Sequence, residues 1–211
     1  MAKLLFYDPT HTYTLDGEVI PSVSELTRFI SREIYNDLQQ GTLDRAAGRG
    51  TAVHKATELL DKYGKVEATD DIVPYVRAYV SFLKEHEVQW EKIEWAVCSP
   101  ENDYAGTLDR YGLLDGKRTL ADIKSISALS PGHRKLYEAS LNLYRMAIQA
   151  EHQIERLLII WLKKDGTYKL WDVPIDDTLA NACRALHQAL KKKPRKKKKP
   201  EEETGKWMNP S

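Results

Sequence analysis

The stretch Gly106-Thr107-Leu108-Asp109-Arg110-Tyr111-Gly112-Leu113-Leu114-Asp115-Gly116-Lys117-Arg118-Thr119-Leu120-Ala121-Asp122-Ile123-Lys124-Ser125 decides the reading of this chain. Asp115-Gly116 is a two-residue hairpin signal, because tight strand-to-strand turns require positive φ and Asp-Gly accepts it. On either side, Tyr104 to Leu114 and Arg118 to Ser125 are strand-like runs. Asp109 and Asp122 each lie 6 residues from the turn, so antiparallel pairing sets them opposite one another. Residues two apart in a strand share a face. Asp122 and Lys124 therefore project side by side, and Ile123 turns to the opposite, apolar side.

Two carboxylates brought that close repel, and one resists ionisation unless a cation neutralises the pair. A hard divalent ion with oxygen ligands meets that need, and Mg²⁺ fits best. Such an ion polarises a phosphoryl oxygen and lowers the pKa of water. Lys124 beside it has three available roles: to orient water, to help deprotonate it, or to stabilise charge in the transition state. This is the chemistry of phosphodiester hydrolysis.

Working outward, Leu4 to Ile20 reads as short strands about turns at Asp8-Pro9 and Asp16-Gly17. Pro21-Ser22-Val23-Ser24 leads into a helix with Ser24 as N-cap. Gly48 and Gly50 precede a helix over Thr51 to Tyr63, with Val53, Ala56, Leu59 and Leu60 as its apolar face. A further helix is expected over Asp71 to Glu87, then a strand over Val88 to Cys98. After the hairpin come a helix over His133 to Gln153, a strand pair over Ile154 to Lys163 and Thr167 to Val173, and a helix over Asp176 to Leu190. The order implies an α/β fold with a central mixed β-sheet flanked by helices.

The 211 residues carry a formal net charge of +1, which conceals an asymmetry. Residues 1–190 hold a net charge of −5 and residues 191–211 a net charge of +6, most of it in the run from Lys191 to Lys199. We read 1–190 as one domain and 191–211 as a basic, flexible tail, a composition that attracts polyanions without sequence preference. No apolar run approaches the roughly 18–20 residues needed to span a bilayer, and no signal-peptide pattern is visible at Met1. A cytoplasmic protein with no membrane partner is expected. Cys98 and Cys183, the only cysteines, are too few for a four-cysteine metal site. No phosphate-binding Gly-x-x-x-x-Gly-Lys-Ser/Thr motif and no dinucleotide fingerprint are present.

The ordered series Gly50-Thr51-Ala52-Val53-His54, Gly106-Thr107-Leu108-Asp109 and Asp122-Ile123-Lys124 resembles the PD-(D/E)XK nuclease superfamily, in particular its RecB-type and phage exonuclease branch. Phe6-Tyr7-Asp8-Pro9-Thr10-His11-Thr12-Tyr13 and Pro21-Ser22-Val23-Ser24 are similar to the start of phage-encoded members. The resemblance implies a restriction-endonuclease-like core. It makes Asp109 and Asp122 the metal-binding carboxylates, the Ile123 carbonyl a further ligand, Lys124 the catalytic lysine, and His54 a metal ligand or metal-proximal residue. Glu58, one helical turn after His54, and Glu94, on the strand before Asp109, are additional site candidates.

The family continues with a helix bearing Gln and then Tyr four residues on; here Tyr144 fits the tyrosine, but Ser140 stands where glutamine is expected. Tyr144, Ser140, Ser125, Arg134 and Lys135 are the substrate-side candidates, with His133, Arg134 and Lys135 near a helix N-terminus suited to phosphate. The implied activity is a metal-dependent DNA exonuclease using Mg²⁺, with Mn²⁺ as a substitute. The implied setting is phage-type recombination, replication or repair in a bacterial host cell, beside an annealing protein or helicase. A DNA-binding or recruitment module with weak cutting, and a structure-selective endonuclease, are the competing readings.

Overall fold

The computed structural model describes residues 3–7, 10–36, 38–99, 101, 103–191 and 207–208. The Asp115-Gly116 turn closes as the sequence implies: both residues have positive φ, 51° and 75°, the signature of the primed hairpin turn. It joins β5 (Tyr104–Leu114) to β6 (Lys117–Lys124) in antiparallel register from Leu114↔Lys117 to Arg110↔Ala121. Around this hairpin a five-stranded sheet forms in the order β4-β5-β6-β7-β8, with β4 over Val88–Ser99, β7 over Arg156–Leu162 and β8 over Tyr168–Val173. β6 and β7 run parallel and the other neighbours antiparallel, so the sheet is mixed. Parallel β7 is deeply buried, with Leu157, Leu158, Ile159 and Ile160 nearly inaccessible, as a strand covered on both faces requires.

Helices cover the two faces. On one, Val53 and Ala56 of α3 (Gln40–Tyr63) and Tyr79 and Phe82 of α4 (Val73–Glu85) close over Ile123, Leu158 and Ile160. On the other, Leu136, Tyr137 and Leu141 of α5 (Pro131–Ile148) close over Leu120, Leu157 and Ile159. Each fully buried aliphatic side chain stabilises the fold by about 1.5–3 kcal/mol. α6 (Asp177–Leu190) lies outside α5, capped by the Asp176 side chain accepting from Thr178 N–H. β1 (Leu4–Tyr7), β2 (Thr12–Leu15), β3 (Glu18–Ile20) and β9 (Trp207–Met208) form a second sheet in the order β3-β2-β1-β9. It packs Leu4, Phe6, Tyr13 and Ile20 against Ala105 at the far end of β5.

Several expectations are corrected. The first short helix, α1 (Val23–Leu26), is capped by Ser22, not Ser24: Ser22 Oγ accepts from Glu25 N–H and the Glu25 carboxylate accepts from Ser22 N–H. Helix α2 (Arg28–Tyr35) was not foreseen. α3 begins at Gln40 and runs through Gly48 and Gly50; each internal glycine costs only about 1 kcal/mol relative to alanine, which Leu43, Ala46 and Ala47 offset. α3 ends where Gly64, at φ 71°, donates its N–H to the Leu60 carbonyl. α5 stops at Ile148, short of Gln153. The tail expectation covers 191–211, of which 192–206 and 209–211 lie outside the described residues, while Trp207–Met208 pair with Tyr7 and Phe6 of β1. Among the described residues, no helix is long and apolar enough to cross a membrane, and Cys98 and Cys183 are both free thiols.

Candidate metal centre

The hairpin register carries Asp109 and Asp122 to the position just beyond the last ladder pair, Arg110↔Ala121. There the Ile123 N–H donates to Asp109 Oδ2 at 2.6 Å. Ile123 itself points into the α3/α4 core. Asp122 and Lys124 share the opposite face, and Lys124 Nζ lies 2.7 Å from Asp122 Oδ2. The Lys124 ammonium also sits 5.3 Å from the centre of the Tyr137 ring, and the Tyr137 ring stands close to that of His133.

α3 crosses the end of this hairpin and brings His54 to it. His54 Nδ1 is 3.4 Å from Asp109 Oδ2 and 3.9 Å from Glu94 Oε1 on β4. Donor atoms of His54, Glu94 and Asp109 all lie within 4.8 Å of one another. In an octahedron with metal–ligand bonds of about 2.1 Å, ligand atoms are about 3 Å apart along an edge and about 4.2 Å apart across the ion. Two carboxylates and one imidazole gathered this closely could hold a metal ion. Asp122 stands outside this trio, its carboxylate turned to Lys124, and the observed Ile123 contact with Asp109 is through its N–H rather than its carbonyl.

The electrostatics follow from burial and proximity. Burial alone pulls the His54 imidazolium towards deprotonation, but the charge and hydrogen bonding of Asp109, with help from Glu94, outweigh it and raise its pKa to about 10. Asp109 is held well below the usual carboxylate range: burial opposes ionisation, but His54, Lys124 and the Ile123 N–H together dominate. Asp122 goes the other way, pushed up to about 6 by burial and by the Asp109 charge against the pull of Lys124. For Lys124, burial works against the ammonium, and Asp122 and Asp109 more than restore it. The two aspartates are thus shifted in opposite directions, with the lysine paired to the more basic one.

A groove of about 1010 Å³ opens beside the trio between α3, β4 and the N-terminal sheet, with His11, Lys55, Lys92 and Trp95 among its lining residues.

No protein-family model matches the sequence, and no curated protein matches it. Among solved structures, the chain is similar to one titled SSO0001, at 13% identity over 82% of this chain and 77% of the other, with a TM-score of 0.44. It is also similar to an alkaline exonuclease (LHK-Exo) from Laribacter hongkongensis, at 12% identity over 80% of this chain and 87% of the other, with a TM-score of 0.38. The fold stands on its own strand order and register.

The other sequence candidates are distributed unevenly. Glu58 is bracketed by Lys55 and Lys62, each donating to it at 2.9 Å, so it faces two cations rather than the trio. Ser125 is buried directly after Lys124. Ser140 Oγ donates to the Leu136 carbonyl at 2.9 Å and is engaged with its own helix. The Tyr144 ring lies so close to β5 that a Cβ on Gly106 would meet Tyr144 Cε1 at 2.7 Å. Arg134 stacks on Trp171 of β8, 4.8 Å from guanidinium carbon to ring centre. Trp171 is two strands from Asp122 along the register row Asp122↔Ile159↔Trp171. Lys135 is exposed on α5.

Sequence reasoning missed Arg110, Asp61 and Tyr137. Arg110 is wholly inaccessible, next to Asp109, and ion-paired to Asp61 at 2.6 Å and to Glu94 at 3.1 Å. A cation alternating with apolar residues inside a strand as buried as β5 was the available signal, since charges are almost never fully buried without partners.

Proposed function

We propose that the protein is a metal-dependent deoxyribonuclease of the PD-(D/E)XK superfamily, in the RecB-type and phage exonuclease branch, hydrolysing phosphodiester bonds from DNA ends. The carrying observation is the His54–Glu94–Asp109 trio, within 4.8 Å, standing beside the Asp122–Lys124 pair at 2.7 Å. His54, Glu94 and Asp109 would hold Mg²⁺ or Mn²⁺, with Asp122 adjoining. When bound, the ion supplies positive charge at a phosphoryl oxygen and lowers the pKa of water.

The chain's own groups supply the rest. Lys124 is held on Asp122 and places a partly buried ammonium where charge develops on the phosphate oxygens. Asp122, whose carboxyl is the more basic of the pair, can take up a proton from the attacking water. Lys55 and Lys92 in the groove suit a phosphate backbone, and Trp95 offers a face for a base. The setting in phage-type recombination, and a partner such as an annealing protein or helicase, belong to the same proposal and rest on the sequence resemblance alone.

The test is digestion of end-labelled linear DNA by the purified chain with Mg²⁺ or Mn²⁺. Parental cutting that disappears in Asp122→Ala and Lys124→Ala, with far-UV circular dichroism unchanged, supports the reading. Equal cutting by parent and both variants refutes it. A second reading, a recruitment module with weak cutting, draws on Ser140, whose hydroxyl is spent within α5. Salt-sensitive DNA binding without hydrolysis would favour it. Cleavage of closed circular DNA would indicate an endonuclease instead.

A further inference from the structure

Among the described residues, five that are not glycine have positive φ: His11, Asp16, Glu94, Asp103 and Asp115. Four are Asp or His outside the strands, residue types that tolerate this conformation at turns. Glu94 is different. It lies within β4 at φ 50°, where regular antiparallel strand has φ near about −140°. Its neighbours Ile93 and Trp95 keep their places in the ladder opposite Arg110 and Leu108. The kink is thus confined to one residue, and that residue belongs to the metal-facing trio.

One side chain accounts for its persistence. Arg110 donates from Nε to Asp61 Oδ2 at 2.6 Å and from Nη2 to Thr57 Oγ1 at 3.2 Å, which fixes the guanidinium against α3. Its Nη1 is divided between Glu94 Oε1 at 3.1 Å and the Asp109 carbonyl at 2.7 Å. Asp61 is steadied in turn by the Tyr79 hydroxyl at 2.8 Å, and Tyr79 by the Trp90 indole N–H at 3.2 Å. A single nitrogen therefore ties the backbone of one trio member to the side chain of another, and its support extends into the core.

We propose that Arg110 is the positioning residue of the metal centre: it clamps Glu94 in a left-handed backbone conformation and so holds the third donor group inward before any ion arrives. The inference rests on the metal-centre reading above and adds a stored strain that the site uses. Backbone strain of this kind persists only where the surroundings over-determine it, and it collects at functional sites.

The experiment has two arms. In the metal-free protein, Glu94→Gly and Glu94→Ala both lose the carboxylate, but only Gly adopts positive φ freely. With the clamp absent from both, Glu94→Ala can relax to ordinary strand dihedrals and should melt at or up to about 2–4 °C above Glu94→Gly, the usual order within a strand. A Glu94→Gly that melts clearly above Glu94→Ala overturns the clamp, because the left-handed conformation would then be imposed by the backbone without Arg110. In the second arm Mn²⁺ binding is titrated by electron paramagnetic resonance. Arg110→Lys should weaken binding about tenfold in the parent and clearly less in the Glu94→Ala background, because the contact with Glu94 is gone there and only the one to the Asp109 carbonyl remains. Equal losses in both backgrounds overturn the positioning role. If circular dichroism shows Arg110→Lys unfolded, Thr57→Val loosens the same clamp and takes its place in the same comparison. A parent that binds no Mn²⁺ refutes the metal-centre reading, and the melting arm still decides the clamp.

Discussion

His54 Nδ1, on helix α3, lies 3.4 Å from Asp109 Oδ2, on strand β5. The contact joins two elements 55 residues apart and makes an imidazolium–carboxylate pair out of two prospective metal ligands. A proton and a divalent ion therefore compete for the same place.

That competition sets a pH dependence. With its pKa raised to about 10, His54 is protonated at pH 7.5 in the metal-free protein and must lose that proton to ligate. Mn²⁺ affinity should rise with pH, by up to about tenfold per unit, and level off near pH 10. Calorimetry at pH 7.5 in buffers of different ionisation enthalpy should show about one proton released per ion, and none in His54→Ala. In the metal-free fold the same raised pKa gives the opposite trend: its stabilisation is complete below pH 6.5 and is lost as pH rises through 10.

Asp109 and Asp122 should differ in what they do. Asp109 belongs to the trio, whereas Asp122 is turned to Lys124. Asp109→Asn should weaken Mn²⁺ binding about tenfold or more, and Asp122→Asn by clearly less. Asp122→Asn and Lys124→Ala should instead reduce kcat by about 10²–10⁴-fold, measured under single-turnover conditions at saturating Mn²⁺. A larger loss of Mn²⁺ affinity in Asp122→Asn than in Asp109→Asn would contradict the geometry.

Glu58 should be dispensable. Its carboxylate is held by Lys55 and Lys62, both of them solvent-facing lysines, and ion pairs near the surface contribute about 0–1 kcal/mol. Glu58→Gln should leave Mn²⁺ affinity within about twofold of the parent and change urea-unfolding stability by less than about 1 kcal/mol.

Gly106 and Gly112 should tolerate alanine unequally. A Cβ at 106 would meet the Tyr144 ring at 2.7 Å, a side chain that can shift. A Cβ at 112 would meet the Gln89 carbonyl oxygen at 2.2 Å and the backbone of Trp90 and Glu91 at 2.8 Å, next to the bulge in β4. Gly106→Ala should cost about 1–3 kcal/mol in urea unfolding and be partly rescued by Tyr144→Leu, whereas Gly112→Ala should cost more, with no side-chain rescue.

The sequence by itself determined what depends on near neighbours. The bounds of β5, the Asp-Gly turn, and the shared face of Asp122 and Lys124 follow from turn sterics and the two-residue strand period, which act over a few residues. The tertiary structure decided the rest. Gly48 and Gly50 looked like punctuation but lie within α3, because flanking helix formers outweigh their cost. Glu58 looked like a partner for His54 by helical spacing, yet two nearer lysines take it. Arg110 became the bridge between Asp61, 49 residues away, and Glu94 only when α3 docked against the sheet. Local backbone rules set which face a side chain occupies. Which distant groups meet on that face is set by how helices close over a sheet, and there a buried charge must find partners or the fold does not form.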